Sequence, residues 1–303
     1  MESLSPRKPW IAVVLSLLLT GLGHIYCGRI VKAMVLLFFS LAFYVHLIVK
    51  AAWFEPSTWT LAVLIGSALG IAGFYFYAAI DAYRLAKRSG DYTLKDYNHL
   101  VVYGAFLIIG CVDHLGLPLL IRAHLFEAFF IPTGSEMPNL LPGDRVLVNK
   151  QVYRQRDPRR GEVVVFRNPE NRRQRWVKRI VALGGETVEV RNNQVFINDG
   201  KLAQEKISGN PFPVSSARAK DVGQYFYETN LNCVYPIQQG FAGNQRKDFP
   251  ATVVPSGYCF VLGDNRDNSR DSRDVGFVPL GDVLGPVHYI YYPAESWSRF
   301  GKL

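Results

Sequence analysis

The chain has 303 residues, 49% of them apolar, and a formal charge of +9 from 34 Lys/Arg against 25 Asp/Glu. Split at residue 125, the basic residues outnumber the acidic by 10 to 6 before and by 24 to 19 after; so even an excess argues against a nucleic-acid face and suits a chain lying against anionic lipid. Four cysteines with no CxxC and no Cys/His cluster of ligand spacing exclude a zinc framework, and no metal or cofactor is expected.

Four apolar stretches come first, at about 10–26, 31–49, 59–82 and 99–121. A membrane helix needs about 20 mostly apolar residues, a length the last two reach. The first pair is short, and three glycines and His24 break LLLTGLGHIYCGR, so a tight or partly inserted hairpin is expected there. His24 reads as a packed or interfacial histidine. A cleavable leader over residues 1–26 fits poorly, because more apolar segments follow and no small-residue cleavage site ends the first. Arg29 and Lys32 lie between segments one and two, and Arg84, Lys87, Arg88 and Lys95 between three and four. By the positive-inside rule both loops face the cytoplasm, and segment four delivers the rest of the chain to the outer face. Asp113 and His114 interrupt that segment and read as a kink above Pro118 or as a functional intramembrane pair. Residues 1–98 are thus expected to be a membrane region with about three apolar segments and a basic cytoplasmic loop, and 99–125 a transmembrane anchor.

After residue 140 the pattern becomes short and alternating. RVLVNK, GEVVVFRN, RWVKRIVAL, ETVEVRN, QVFIN and YCFVLG read as strands, separated by turns such as LPGD, NPEN and NDGK. Residues 126–303 are therefore predicted to form a mostly β domain of coiled antiparallel sheets, with a less regular insertion at about 203–250. Cys27 and Cys111 lie in apolar segments and read as packing residues. Cys233 and Cys259 are a candidate disulfide if the β domain is exported.

Three stretches join constrained backbone to reactive side chains. In Phe130–Leu140, Ser135 sits on a turn between Gly134 and Pro138. In Trp176–Val181, alternation puts Lys178 on one face with Ile180. Such a lysine is either at an edge or desolvated, and desolvation disfavours its charged form, as a general base requires. In Gly263–Arg273, short polar and charged side chains build a hydrogen-bonded loop able to brace a neighbouring strand, and three arginines argue against calcium. Alone, each has a plainer reading: a turn, a surface lysine, a solvated loop.

Together, in the order IPTGSEMPNLLPGDRVLVNK, GEVVVF, VKRIVALGGETVEV and GYCFVLGDNRDNSRDSRDVGFVP, they resemble the type I signal peptidases, the leader peptidases of bacteria. The resemblance covers roughly residues 126–202 and 255–290 and leaves the region before residue 98 unexplained. It implies a membrane-bound serine endopeptidase that cleaves signal peptides from exported preproteins after small residues of Ala-X-Ala type. Ser135 matches the nucleophile, Lys178 the general base, Thr133 the oxyanion-hole hydroxyl and Ser269 the hydroxyl that orients the lysine. Asp264, Arg266, Asp271 and Arg273 match a structural charge network. Phe129, Ile131, Leu140, Trp176 and Val177 flank nucleophile and base and are the expected pocket lining. The expected place is the bacterial inner membrane, with the catalytic domain outside. The implied partners are preproteins, the lipid bilayer and the export machinery.

One position departs from the pattern. The family has Met directly after the nucleophile, and this chain has Glu136 with Met137 next. A carboxylate among apolar pocket walls is costly without a partner, so Glu136 is expected to face outward. The competing readings are a membrane-anchored scaffold with an inactive dyad, and a Ser–Lys protease with another substrate, as in self-cleaving repressors.

Overall fold

The structure is a computed structural model that describes residues 6–53, 58–89, 97–112, 117–208, 223–240 and 248–303. Two compact units divide the chain, Met1–Leu120 and Ile121–Leu303.

The first unit is helical. Helix α1 (Pro9–Leu18) opens with proline at its first position, where the missing N–H has no partner to lose. The chain turns at Gly21, whose φ of 104° favours glycine and where a Cβ would lie 2.7 Å from the Ala33 carbonyl oxygen. Helices α2 (Leu22–Tyr26), α3 (Ile30–Trp53), α4 (Thr58–Arg88) and α5 (Leu100–Cys111) follow, then α6 (Leu117–His124). The broken first stretch is thus two helices bent at a glycine. Small residues let these helices approach closely: Ala12, Cys27, Ala82 and Ala86 form one buried cluster.

The exposed side chains of this unit include many apolar ones, and several polar side chains are buried among apolar ones such as Leu19, Leu22 and Ile25. Ser16, Thr20, His24 and Ser40 are buried, whereas Trp10, Leu18, Val31, Phe38 and Phe39 are exposed. His24 is the packed histidine that the sequence suggests: its Nε2 lies 2.8 Å from Asp81 Oδ2, which also pairs with Lys32 Nζ at 2.7 Å. Among the described residues no helix is long and apolar enough to cross a membrane. Asp113, His114 and Lys95 lie outside the described residues.

The second unit is built on strands. They are β1 (Phe126–Phe130), β2 (Arg145–Asn149), β3 (Val163–Arg167), β4 (Arg175–Leu183), β5 (Thr187–Arg191), β6 (Gln194–Ile197) and β7 (Gly200–Lys201). Then come β8 (Ala203–Lys206), β9 (Gln224–Asn230), β10 (Cys233–Gln239), β11 (Phe249–Val253), β12 (Tyr258–Leu262), β13 (Val278–Pro279), β14 (Val283–Tyr292) and β15 (Gly301–Lys302). Two single-turn helices, α7 (Val152–Gln155) and α8 (Ser272–Val275), interrupt them.

The large sheet runs β1-β2-β14-β3-β4-β12-β13, with β15 added to β14, and its pairings are antiparallel. Register shifts along β14 bend it, so its first half pairs with β3 and its second with β2. That bend coils the sheet as predicted. Strand β4 changes partner too: Arg175–Arg179 pair with β3, and Arg179–Leu183 with β12. The predicted insertion at about 203–250 holds paired strands among its described residues. Within it β9 and β10 pair without interruption from Cys233↔Asn230 to Gln239↔Gln224, and β8 joins them in a three-stranded sheet.

The candidate disulfide is not formed. Cys233 is an exposed free thiol, and Cys259 is buried in β12 with its Sγ donating to the Val278 carbonyl. These cysteines sit in two different sheets, on β10 and β12.

Candidate active site

Two stretches of chain face each other across a cleft of about 620 Å³, one running from Phe129 to Glu136 and the other from Gln174 to Lys178. Asn268 and Arg270 complete its wall. Ser135 and Lys178 meet in this cleft, with Lys178 Nζ 2.6 Å from Ser135 Oγ. Lys178 is only 4% exposed, so the desolvated alternative for this side chain is the correct one. Its Nζ also donates to the Val177 carbonyl at 2.7 Å.

The turn that presents Ser135 is clamped from the polar loop after β12. Asn265 N donates to Ser135 O at 3.1 Å, and Asn265 Nδ2 donates to Gly134 O at 3.0 Å. Gly263 permits this approach, because a Cβ there would lie 2.6 Å from Ser135 O and still closer to the Ser269 hydroxyl. Asn265 was not singled out from sequence; its only signal was its place within the polar run. Thr133 Oγ1 lies 3.5 Å from Ser135 Oγ, on the open side of the nucleophile.

Glu136 overturns the outward expectation. It is 1% exposed, and its Oε1 accepts from Lys178 Nζ at 3.0 Å. The cost argument that placed it outside assumed no partner, and the lysine is that partner. Burial pushes its carboxyl up to about 8; Lys178 and Arg179 oppose the rise and the Asp264 carboxylate adds to it.

Of the expected pocket residues, Phe129, Ile131, Trp176 and Val177 line the cleft. Leu140 does not. It is fully buried in the core with Val146, Val148 and Val163, because the turn after Pro138 sends it inward. Ser269 is buried and supports the Asp271 carboxylate.

The charge network lies immediately behind the site. Arg179 grips Asp264 with two bonds of 2.7 Å, and Asn139 Nδ2 reaches the same carboxylate at 2.6 Å. Arg266 pairs with Glu228 through its two terminal nitrogens, Nη1 and Nη2, a partner on β9 that the sequence did not suggest. Arg273 binds Asp271 and the Arg266 carbonyl. Burial raises the Glu228 carboxyl, but Arg266 and the bonds from Gln204 and Tyr235 more than offset this and hold it below the ordinary value. The stability this pair contributes is present at neutral pH and is lost as pH falls through that depressed value.

A serine hydroxyl in contact with a buried amine, in an open cleft on a coiled β sheet, is the arrangement of a hydrolase with a serine nucleophile. The sequence belongs to a family of peptidases. Residues 105–292 match the profile described as signal peptidase, peptidase S26, and the chain is a member of that family. Signal peptidase I of Aquifex aeolicus is 37% identical over 218 residues, spanning 63% of this chain and 82% of that one. A probable signal peptidase I-1 of Synechocystis is 34% identical over 195 residues, covering 62% and 82%. A signal peptidase I structure from Enterococcus faecalis is 30% identical and covers 44% of this chain and 97% of its own, at a TM-score of 0.27. The chain is a hydrolase of the signal peptidase I type.

Proposed function

We propose that the chain is a membrane-bound endopeptidase that removes signal peptides from exported preproteins, with Ser135 as nucleophile and Lys178 as general base. The observation that carries this reading is the 2.6 Å contact between Ser135 Oγ and Lys178 Nζ inside the cleft. Neutral Lys178 takes the hydroxyl proton as Ser135 Oγ bonds to the scissile carbonyl carbon. The carbonyl oxygen gains negative charge opposite the Thr133 hydroxyl and the Ser135 amide. Collapse breaks the C–N bond, and Lys178 returns the proton to the leaving amine. Water, deprotonated by the same lysine, then attacks the ester and frees Ser135.

The substrate would lie extended between the 129–136 run and the first half of β4, beside the exposed edge of β1. Phe129, Ile131 and Trp176 narrow that channel, which favours small residues before the cut. Membrane attachment is supported by the outward apolar side chains and inward polar ones of the helical unit. The basic loops then favour the outer face for the catalytic domain.

The test is incubation of the full chain in detergent micelles with a preprotein carrying Ala-X-Ala before the cut. Mass spectrometry should find one new N-terminus directly after that motif, and Ser135→Ala should yield none. Cleavage by Ser135→Ala would reject the dyad, and no cleavage by the native chain would favour an inactive scaffold. Thr133→Val should lower kcat by roughly 10²-fold or more with little change in KM, since it removes one donor from the developing oxyanion. Thr133→Ser should restore most of that loss.

A further inference from the structure

We propose that Glu136 is a positioning residue that holds the one proton it shares with Lys178, leaving the lysine a free amine aimed at Ser135 in the resting site. This rests on the reading of Ser135 and Lys178 as nucleophile and base.

The hydrogen-bond inventory around Lys178 carries the proposal. Its Nζ has three close neighbours: Ser135 Oγ at 2.6 Å, Val177 O at 2.7 Å and Glu136 Oε1 at 3.0 Å. A neutral amine has two N–H donors and one lone pair. Two neighbours, the Val177 carbonyl and Glu136 Oε1, only accept along these lines. With both N–H groups directed at them, the lone pair faces Ser135, whose hydroxyl then donates. An ammonium would spend its third N–H on Ser135 Oγ and turn the serine proton away from its base.

The second carboxyl oxygen points the same way. Glu136 Oε2 is buried with no hydrogen-bond partner among the described residues. A carboxylate would leave charge on an oxygen with no donor, in a side chain 1% exposed, and a neutral O–H there, though also unpaired, costs far less than a charge. Moving the proton from Nζ to the carboxyl removes both charges at once, and desolvation favours the neutral pair over the ion pair. The other charged groups facing Glu136 do not reverse this. Arg179, next to Lys178 on β4, is committed to Asp264 by two bonds, and the Asp264 carboxylate itself opposes a second negative charge. The position after the nucleophile thus supplies an acceptor that orients the base.

The test uses the full chain in micelles and two independent readouts. Glu136→Met keeps bulk but loses the acceptor, so kcat should fall roughly 10- to 100-fold with KM little changed. Glu136→Gln imitates the protonated acid and should recover kcat to within a few-fold, with the acid limb of the pH profile in its native place. Infrared difference spectra of native against Glu136→Gln should show a protonated carboxyl band at neutral pH that fades as pH rises through about 8. A carboxylate band at neutral pH, or an acid limb moved down by a full unit in Glu136→Gln, would establish the ion pair and overturn the proposal. Native kcat in Glu136→Met would equally overturn it. Ser135→Ala and Lys178→Ala run alongside: cleavage by either rejects the dyad itself, whereas the infrared band still reports where the proton sits.

Discussion

Lys178→Arg is expected to be as inactive as Lys178→Ala, with single-turnover cleavage of a preprotein slowed by on the order of 10⁴-fold or more in both. Loss of the amine removes the base, and the guanidinium of Arg stays protonated throughout the accessible pH range, so a retained positive charge does not help. Its bulk is a separate matter, because Lys178 is enclosed by Ser135, Glu136 and the Val177 carbonyl. Lys178→Met therefore belongs in the same series: similar length, no charge, no base. Ser135→Ala should fall to the same floor, and a Ser135→Ala/Lys178→Met double variant should fall no further, since the two act in one step. Circular dichroism of each variant separates this from unfolding. Turnover by Lys178→Arg within tenfold of native would mean that the proton leaves Ser135 by another route.

Much of the site was legible because its parts are local. The sequence predicts a strand around Lys178 over residues 175–183, and it spans Arg175–Leu183, since the segment is rich in β-branched residues and follows the NPEN turn. Ser135 stood out through Gly134 and Pro138, which force a turn. What failed to show was whatever depended on a distant partner. Glu136 was placed outside by a sound cost argument, yet its partner arrives from 42 residues away on β4. Glu228 falls in the stretch read as a less regular insertion, and its carboxylate meets Arg266 from 38 residues on. Leu140 flanks the nucleophile in sequence but turns into the core. The central strand β14 was missed because Gly285 and Pro286 sit inside it, and both are usually strand breakers. They are tolerated at a register shift, with Gly285 so close to the Asn149 carbonyl that a Cβ would clash.

Asp264→Ala should be the most destabilising single change in the network behind the site. Arg179 is 6% exposed, and Asp264 supplies both acceptors for its Nε and Nη2. Removing the carboxylate strands a buried guanidinium, a loss of about 3–5 kcal/mol. For a unit of this size that corresponds to a fall in Tm of roughly 10 °C. The Gly161 carbonyl, which accepts from Nη1 at 2.5 Å, and the Tyr235 ring, 4.0 Å from the guanidinium carbon, remain but carry no full negative charge. Activity should fall as well, though Asp264 makes no bond to the nucleophile or base: Arg179 adjoins Lys178, and Asp264 adjoins Asn265, which clamps Ser135. Asp264→Asn retains the shape and one acceptor and should lose less. The decisive comparison is Asp264→Ala/Arg179→Met. If the cost is the orphaned charge, deleting that charge should recover part of the lost Tm, and the double variant should melt above Asp264→Ala. A double variant that melts at the sum of the two single losses would show that Arg179 and Asp264 act independently, as packing and hydrogen-bonding groups rather than as an ion pair.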